Sequence, residues 1–245
     1  MRDASSAADK EITNAWIDLS LRKDVFLNVK AFSQTKEAKS LNYEQKRYLE
    51  KTLRDGKRNG LLLDKEDLEK FKSTKKKISE LGIDFRKCLS EDTSHFFVEE
   101  KDLSGVPQDV IDSMEKDADG RRKVTTKYPH YHPVIKNCNN PKTRFMMEKI
   151  FQSRCVEENT KRIEELISLR QKKASLLGYP THAAFVLEEK MAKNPETVEK
   201  FLSDLSAKLQ VLWKKEKAKM LKLKAAEAEE FGFEFDGKIA KEDFW

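Results

Sequence analysis

No run of apolar residues in this 245-residue chain approaches the ~20 needed to cross a bilayer. Glycine and proline are scarce, with 8 and 6 copies, which disfavours a fold of many short strands and tight turns and favours long helices. The three cysteines, Cys88, Cys138 and Cys155, have no CxxC spacing and cannot all pair. That excludes a disulfide framework and fits reduced, buried or half-buried thiols. Only four histidines occur, His95, His130, His132 and His182, and none stands in a His-Glu-x-x-His pattern. That pattern places two imidazoles one helical turn apart with a general-base glutamate between them. There is also no GxxxxGK[ST], GxGxxG or G-x-S-x-G, so phosphate cradles and a hydrolase elbow are not supported. Asp3, Asp9 and Glu11 fit neither a signal peptide nor an acid-poor transit peptide, so the expected location is cytoplasmic.

What the chain has in quantity is charge. Charged residues make up 38%, as much as the apolar share and well above the usual quarter. The 49 basic and 43 acidic residues are interleaved, as in Lys65-Glu66-Asp67, and leave a net charge of +6. A nucleic-acid binder would concentrate its basic residues on one face; here that reading rests only on a pI of about 9.0. The pattern is that of solvated helical surfaces, with neither nucleic acid nor membrane expected as a partner. The length suffices for one large domain or two small ones.

Periodicity predicts a first helix over about 7–32, with Ile12, Trp16, Leu19, Lys23, Phe26 and Val29 at three- and four-residue steps. A second covers 43–54, with Tyr48, Leu49 and Leu53 inward and Asp55-Gly56 as its stop. Asp64 then caps a helix over about 65–81, with Leu68, Phe71, Ile78 and Leu81 on one side. Two β-rich segments, 94–98 and 122–128, read as short paired strands flanking a small helix near 107–114. Asn140-Pro141 starts a helical pattern that reaches Leu177 and stops at Gly178. Unbroken, it would run about 54 Å, so a bend or break is expected within it. A shorter helix follows Pro180-Thr181. Asn194-Pro195 starts another, whose apolar stripe runs through Val198, Phe201, Leu202, Leu205, Leu209, Leu212 and Leu221 toward Phe231. The predicted fold is therefore mainly α, with long amphipathic helices and one small β element around residues 92–130. The predicted division is 1–139 (helices plus the β element) and 140–245 (the long helices).

Candidate chemistry is sparse. His130-Tyr131-His132 would put two imidazoles on one face if extended, a possible pair of ligands for zinc or copper, but nothing nearby offers an obvious third. Between prolines 129 and 133, aromatic packing in a loop is the plainer reading. Cys155 beside Glu157 and Glu158 has no demonstrable base and reads as a generic half-buried thiol. His182 reads as a capping or core partner, and Lys75-Lys76-Lys77 and Lys214-Lys215 as solvated runs. No catalytic, cofactor-binding or metal-binding residue is assigned.

Several ordered segments nevertheless form a pattern. Arg58-Asn59-Gly60-Leu61 and Lys127-Tyr128-Pro129-His130-Tyr131 with Pro133 come first. Arg154-Cys155-x-x-Glu158-Asn159, Leu169-Arg170, Leu176-Leu177-Gly178-Tyr179 and Thr181-His182-Ala183 follow. Phe185-Val186-Leu187-Glu188, Met191-Ala192-Lys193 and Phe235-Asp236-Gly237-Lys238-Ile239 complete the series. Over roughly residues 12–241 the chain resembles the thimet oligopeptidase and neurolysin group of M3 zinc metallopeptidases, departing at His132, where relatives carry an aromatic. The resemblance implies an almost wholly helical fold in two halves around a deep channel. The N-terminal half is the wall that admits only short peptides, and the zinc and catalytic groups belong to the other half. It implies no zinc site in this chain, weak peptide binding at most, the catalytic half as a partner, and a location that also allows the mitochondrial intermembrane space. The chain so read is an N-terminal portion ending before the catalytic region. The alternative is a non-catalytic helical protein whose long helices offer a groove to a partner helix.

Overall fold

The computed structural model describes residues 2–244, so Trp245, expected as an uncovered terminal aromatic, lies outside the described residues. The fold is mainly helical, as predicted. Its helices are α1 (Arg2–Ser20), α2 (Lys23–Phe32), α3 (Lys36–Ser40), α4 (Tyr43–Arg58), α5 (Lys65–Glu91), α6 (Gln108–Ser113), α7 (Tyr128–Asn137), α8 (Pro141–Gln152), α9 (Val156–Leu176), α10 (His182–Leu187) and α11 (Pro195–Phe231). Strands β1 (His95–Val98) and β2 (Arg122–Thr125) pair antiparallel, with His95 opposite Thr125 and Val98 opposite Arg122.

The local start signals act as the sequence implies. Asp64 accepts the Asp67 amide at 2.8 Å, Asn140 the amides of Lys142 and Thr143 at 2.9 and 3.4 Å, Thr181 that of Ala184 at 3.0 Å, and Asn194 that of Thr197 at 2.8 Å. Each satisfies an amide the first turn leaves unpaired. The expected break in the long pattern falls at 153–155, where Cys155 takes a left-handed φ of 53° between α8 and α9.

Three predicted helices differ. The first helix is two, because Arg22 takes an extended backbone (ψ 91°) and Leu21 is buried at the break. The stripe assigned to it misses the inward face at α1: Ile12, Trp16 and Leu19 are exposed, while Ile17, and Leu21 at the break, are buried. Gly56 does not end α4. It lies inside the helix, buried, where a Cβ would stand 2.2 Å from the Phe26 ring, so it permits close approach of α2. The stop is Gly60, in the left-handed region at φ 77°. Tyr48, expected inward on α4, is exposed. Likewise α5 runs through Gly82 to Glu91, ten residues past the predicted end.

The chain forms two compact units, each from non-contiguous segments, so they follow a different division from one at 139/140. The first comprises residues up to Cys88 with Glu157–Val198. Its core is Ile17, Leu21, Phe26, Leu61 and Phe71, with Leu176 and Leu177 packed against it. In this unit α5 and α9 run antiparallel: Asn159 donates to the Phe85 carbonyl at 3.3 Å, Lys77 lies 4.0 Å from Glu165, and Leu176 and Leu177 flank the core that holds Phe71.

The second unit comprises Leu89–Val156 and the chain from Glu199 onward. Its core gathers Phe96, Leu103, Val106, Ile111, Met114, Val124, Tyr131, Val134, Ile135, Cys138 and Met147. The β pair is thus backed by α6, α7 and α8, which supplies the helical layer two isolated strands lack. Arg122 on β2 is buried but matched, with both Nε and Nη2 donating to Glu100 at 2.9 and 2.7 Å.

Candidate functional site

The structure first sorts the candidate residues. His130 and His132 do not share a face, because 128–137 is helix and residues two apart project about 200° apart. The flanking prolines misled the reading: Pro129 sits in the first turn, where its missing N–H costs nothing and its fixed φ favours the helix. His130 Nδ1 accepts from the Thr125 amide at 3.2 Å and lies 3.0 Å from Thr125 Oγ1. His132 tilts over Tyr128 at 5.0 Å. The pair therefore does not fit a zinc ion. Glu157 and Glu158 open α9, exposed, and Cys155 is half-buried.

In the first unit, four of the signature segments converge on one ring. Arg58, at the end of α4, pairs with the Glu188 carboxylate and donates through Nη2 to the Phe185 carbonyl at 2.8 Å. Its guanidinium lies 4.1 Å over the Phe185 ring. The Tyr179 hydroxyl donates to Glu188 at 2.6 Å, and its ring meets Phe185 edge-on at 5.2 Å. Lys173 Nζ stands 5.2 Å from the same ring and His182 stacks at 6.3 Å. Arg54 pairs with Glu189 at 2.7 Å. His182, read as a capping or core partner, is half-buried and packs on the Phe185 ring.

The electrostatics suit clamping rather than proton transfer. The hydrogen bond from Tyr179, then Arg58, hold the Glu188 carboxyl below its usual range against the effect of burial. Burial, then Glu188, push the Tyr179 hydroxyl upward. One group stays ionised and the other neutral through the neutral range, so no acid and base are poised near pH 7.

In the second unit, Tyr131 stacks on Phe151 at 3.8 Å, and the Arg154 guanidinium lies 3.7 Å over that ring. The Tyr131 hydroxyl donates to buried Glu148 at 2.8 Å, and Glu148 also takes Lys241 at 2.9 Å. Burial and Glu148 push Tyr131 up to about 12. A phenol whose folded pKa lies above its unfolded value of about 10 adds stability that is intact below pH 10 and lost as pH rises toward 12. Melting temperature should therefore fall across pH 10–12, and less steeply in Tyr131→Phe. Parallel slopes for the two proteins would show that Tyr131 does not titrate this way.

The last helix carries the largest surprise. Residues 199–219 of α11 are exposed throughout. Phe201, Leu202, Leu205, Leu209 and Leu212, the apolar stripe read from the sequence, are each at least 40% accessible. Near its C-terminal end the helix engages its unit: Ala228 is buried, Glu227 pairs with Arg144 at 3.0 Å, and Lys224 pairs with Asp243. Phe231 and Phe244 are also exposed, with Phe244 stacked on Trp213 at 6.3 Å.

Comparison with known proteins assigns this architecture. Residues 134–239 match the model of peptidase family M3. Saccharolysin of Saccharomyces cerevisiae is 36% identical over 233 residues, 92% of this chain and 33% of its own length. The chain belongs to peptidase family M3. The thimet-like oligopeptidase of Dictyostelium discoideum is 33% identical over 82% of this chain and 31% of its own length. Oligopeptidase A of Escherichia coli is 29% identical over 79% and 30%. The chain thus spans about a third of the length of the curated relatives it matches.

The M3 membership gives the convergence in the first unit its meaning: segments separated by some 130 residues that carry the resemblance are those that meet at Phe185. Sequence reading flagged each segment but not the meeting, because spacing carries no sign of so distant a contact. Among the described residues no helix is long and apolar enough to cross a membrane.

Proposed function

We propose that this chain supplies a wall of the substrate channel of a zinc-dependent oligopeptidase acting on short peptides, with no catalytic group of its own. The observation that carries this is the α11 stripe, an apolar face exposed to water from Phe201 to Leu212, about three turns of helix. Soluble proteins rarely leave a contiguous apolar patch of that kind uncovered unless it meets a partner or ligand. The chain spans about a third of its relatives' length, which leaves room in the whole protein for the cover. The histidines support the non-catalytic assignment: His130 is engaged by Thr125 and points away from His132, and His182 is packed on Phe185. Zinc, the polariser of water in this reading, would be held by residues outside this chain. A cytoplasmic location belongs to the same reading; the three cysteines, none in a disulfide, agree with it.

Dialysed chain should carry no stoichiometric zinc and should not cleave quenched fluorescent peptides. One zinc per chain with chelator-sensitive turnover would overturn the proposal. The same stripe also favours a second reading, a non-catalytic helical interaction protein that receives a partner helix along α11. In that case the chain would bind an amphipathic helix without any peptidase fragment present.

A further inference from the structure

The first unit leaves apolar surface open between α2 and α4. The two helices run antiparallel, since the Phe26 ring lies against Gly56 while Phe32 and Glu44 line one cavity. That cavity holds about 690 Å³, with Val25, Val29 and Phe32 on one wall and Leu41, Tyr48 and Leu49 on the other. The α2 residues recur at three- and four-residue steps, so a single helix face supplies its wall. A second cavity of about 680 Å³ shares Val25, Val29, Tyr48 and Thr52 with the first, and the two form one groove. Val25, Phe32 and Tyr48 are 49%, 42% and 75% exposed, so the walls face water. An apolar cavity of this size with a few polar groups is the usual form of a small-molecule site.

Its polarity is one-sided. Among the described residues Glu44 is the one charged group on the first cavity, and no ion pair engages its carboxylate. Two other polar residues there are already turned to the protein: Gln45 Oε1 accepts the Asn42 amide at 3.1 Å, and Thr52 donates to the Tyr48 carbonyl at 2.9 Å. Tyr48 stands one helical turn beyond Glu44, which sets an aromatic ring beside the free carboxylate on the same face of α4. A carboxylate next to an aromatic face attracts an ammonium, through a charge-assisted hydrogen bond and through the ring quadrupole. The cations of the groove, Arg22 and Lys51, line only the second cavity, and Arg22 is held by Asp24 at 2.8 Å.

We propose that the α2–α4 groove binds a lipophilic ammonium compound, with its apolar body against Val29 and Leu49 and its cation at Glu44 and Tyr48. The groove lies wholly in the first unit and does not depend on the channel-wall reading. Glu44 also sits in the first turn of α4, where a carboxylate complements the helix dipole, a role that would affect stability without selecting a ligand.

The test is calorimetric titration of the 245-residue chain with naphthylmethylammonium, the neutral naphthalenemethanol and the anion naphthylacetate. One saturable site is expected. The ammonium should bind on the order of tenfold more tightly than the alcohol, about 1.4 kcal/mol, and the acetate more weakly than either. Glu44→Gln should remove the advantage of the ammonium and leave the alcohol unchanged, which loss of a dipole contact alone would not do. Tyr48→Ala, at an exposed position where the fold should be unaffected, should weaken both. Glu50→Gln, on α4 but outside both cavities, should change nothing. No saturable binding, equal binding of the three probes, an ammonium preference intact in Glu44→Gln, or unaltered affinity in Tyr48→Ala would overturn the proposal. So would a wild-type dimer, seen by light scattering, that Tyr48→Ala dissociates, since the occupant would then be a second copy of the chain.

Discussion

Replacing Arg144 with methionine should destabilise the second unit by about 3–5 kcal/mol, the usual loss when one partner is removed from a buried ion pair. Arg144 is 6% exposed and joins four acceptors. Nη1 donates to the Cys138 and Asn139 carbonyls at 2.7 and 3.3 Å and pairs with Glu227 at 3.0 Å; Nη2 faces Asp243 at 3.6 Å. The apolar replacement leaves two carbonyls without this donor and removes the group that ties α8 to the α11 end and the turn at Lys241–Asp243. Asp243 would keep Lys224. Arg144→Lys retains charge but not the fork, and should fall between the two. Urea unfolding followed by circular dichroism measures all three. A methionine variant within about 1 kcal/mol of wild type would show the network to be peripheral.

Gly105→Ala should cost about 2–5 kcal/mol, from two independent penalties. Gly105 has φ 88°, a conformation that a residue with a Cβ adopts at about 1–2 kcal/mol. Its added Cβ would stand 2.2 Å from the Asn137 carbonyl oxygen and 2.8 Å from Asn139 Oδ1. Relieving that overlap means shifting the α7 end, a strain of about 1–3 kcal/mol. The backbone there is pinned by Asn139 N–H to the Ser104 carbonyl at 2.8 Å, so it cannot yield freely. Gly120→Ala, also at positive φ but in open space, isolates the backbone penalty alone. Equal losses at the two positions would mean that the overlap relaxes without cost.

The contrast between those glycines shows where sequence reading works and where it stops. Helix starts at Asp64, Asn140, Thr181 and Asn194 were legible because a cap is a contract among residues three apart. Glycine stops were legible at Gly178, in the left-handed region, and misread at Gly56, which lies inside α4. The role of Gly56 is set by Phe26, thirty residues away, and nothing local marks it. The β pair was placed because its branched and aromatic residues are contiguous, but β2 stops at Thr125, where α7 takes over at Tyr128. The Tyr128–Asn137 helix was missed because proline is read as a breaker unless its position in the first turn is known.

At the site level, the family segments were visible one by one, yet the Arg58–Phe185–Glu188 clamp depends on contacts far apart in sequence. The α11 stripe was legible as a stripe. That it faces water was not, because periodicity reports an apolar face without saying what covers it. Along the stripe, Val198 and Leu221 are half-buried and the turns between them are exposed.

The direct test of the channel-wall account is reconstitution. The chain is purified with the complementary two thirds of saccharolysin, as wild type and as Leu205→Asp/Leu209→Asp. Both leucines are exposed in this chain, at 40% and 48%, so the double variant should fold as the wild type does. Light scattering should show a one-to-one complex with chelator-sensitive peptide turnover for the wild type, and separate, inactive components for the variant. Equal assembly and turnover by both proteins, or no complex with either, would contradict the assignment of α11 as the face that meets the rest of the peptidase.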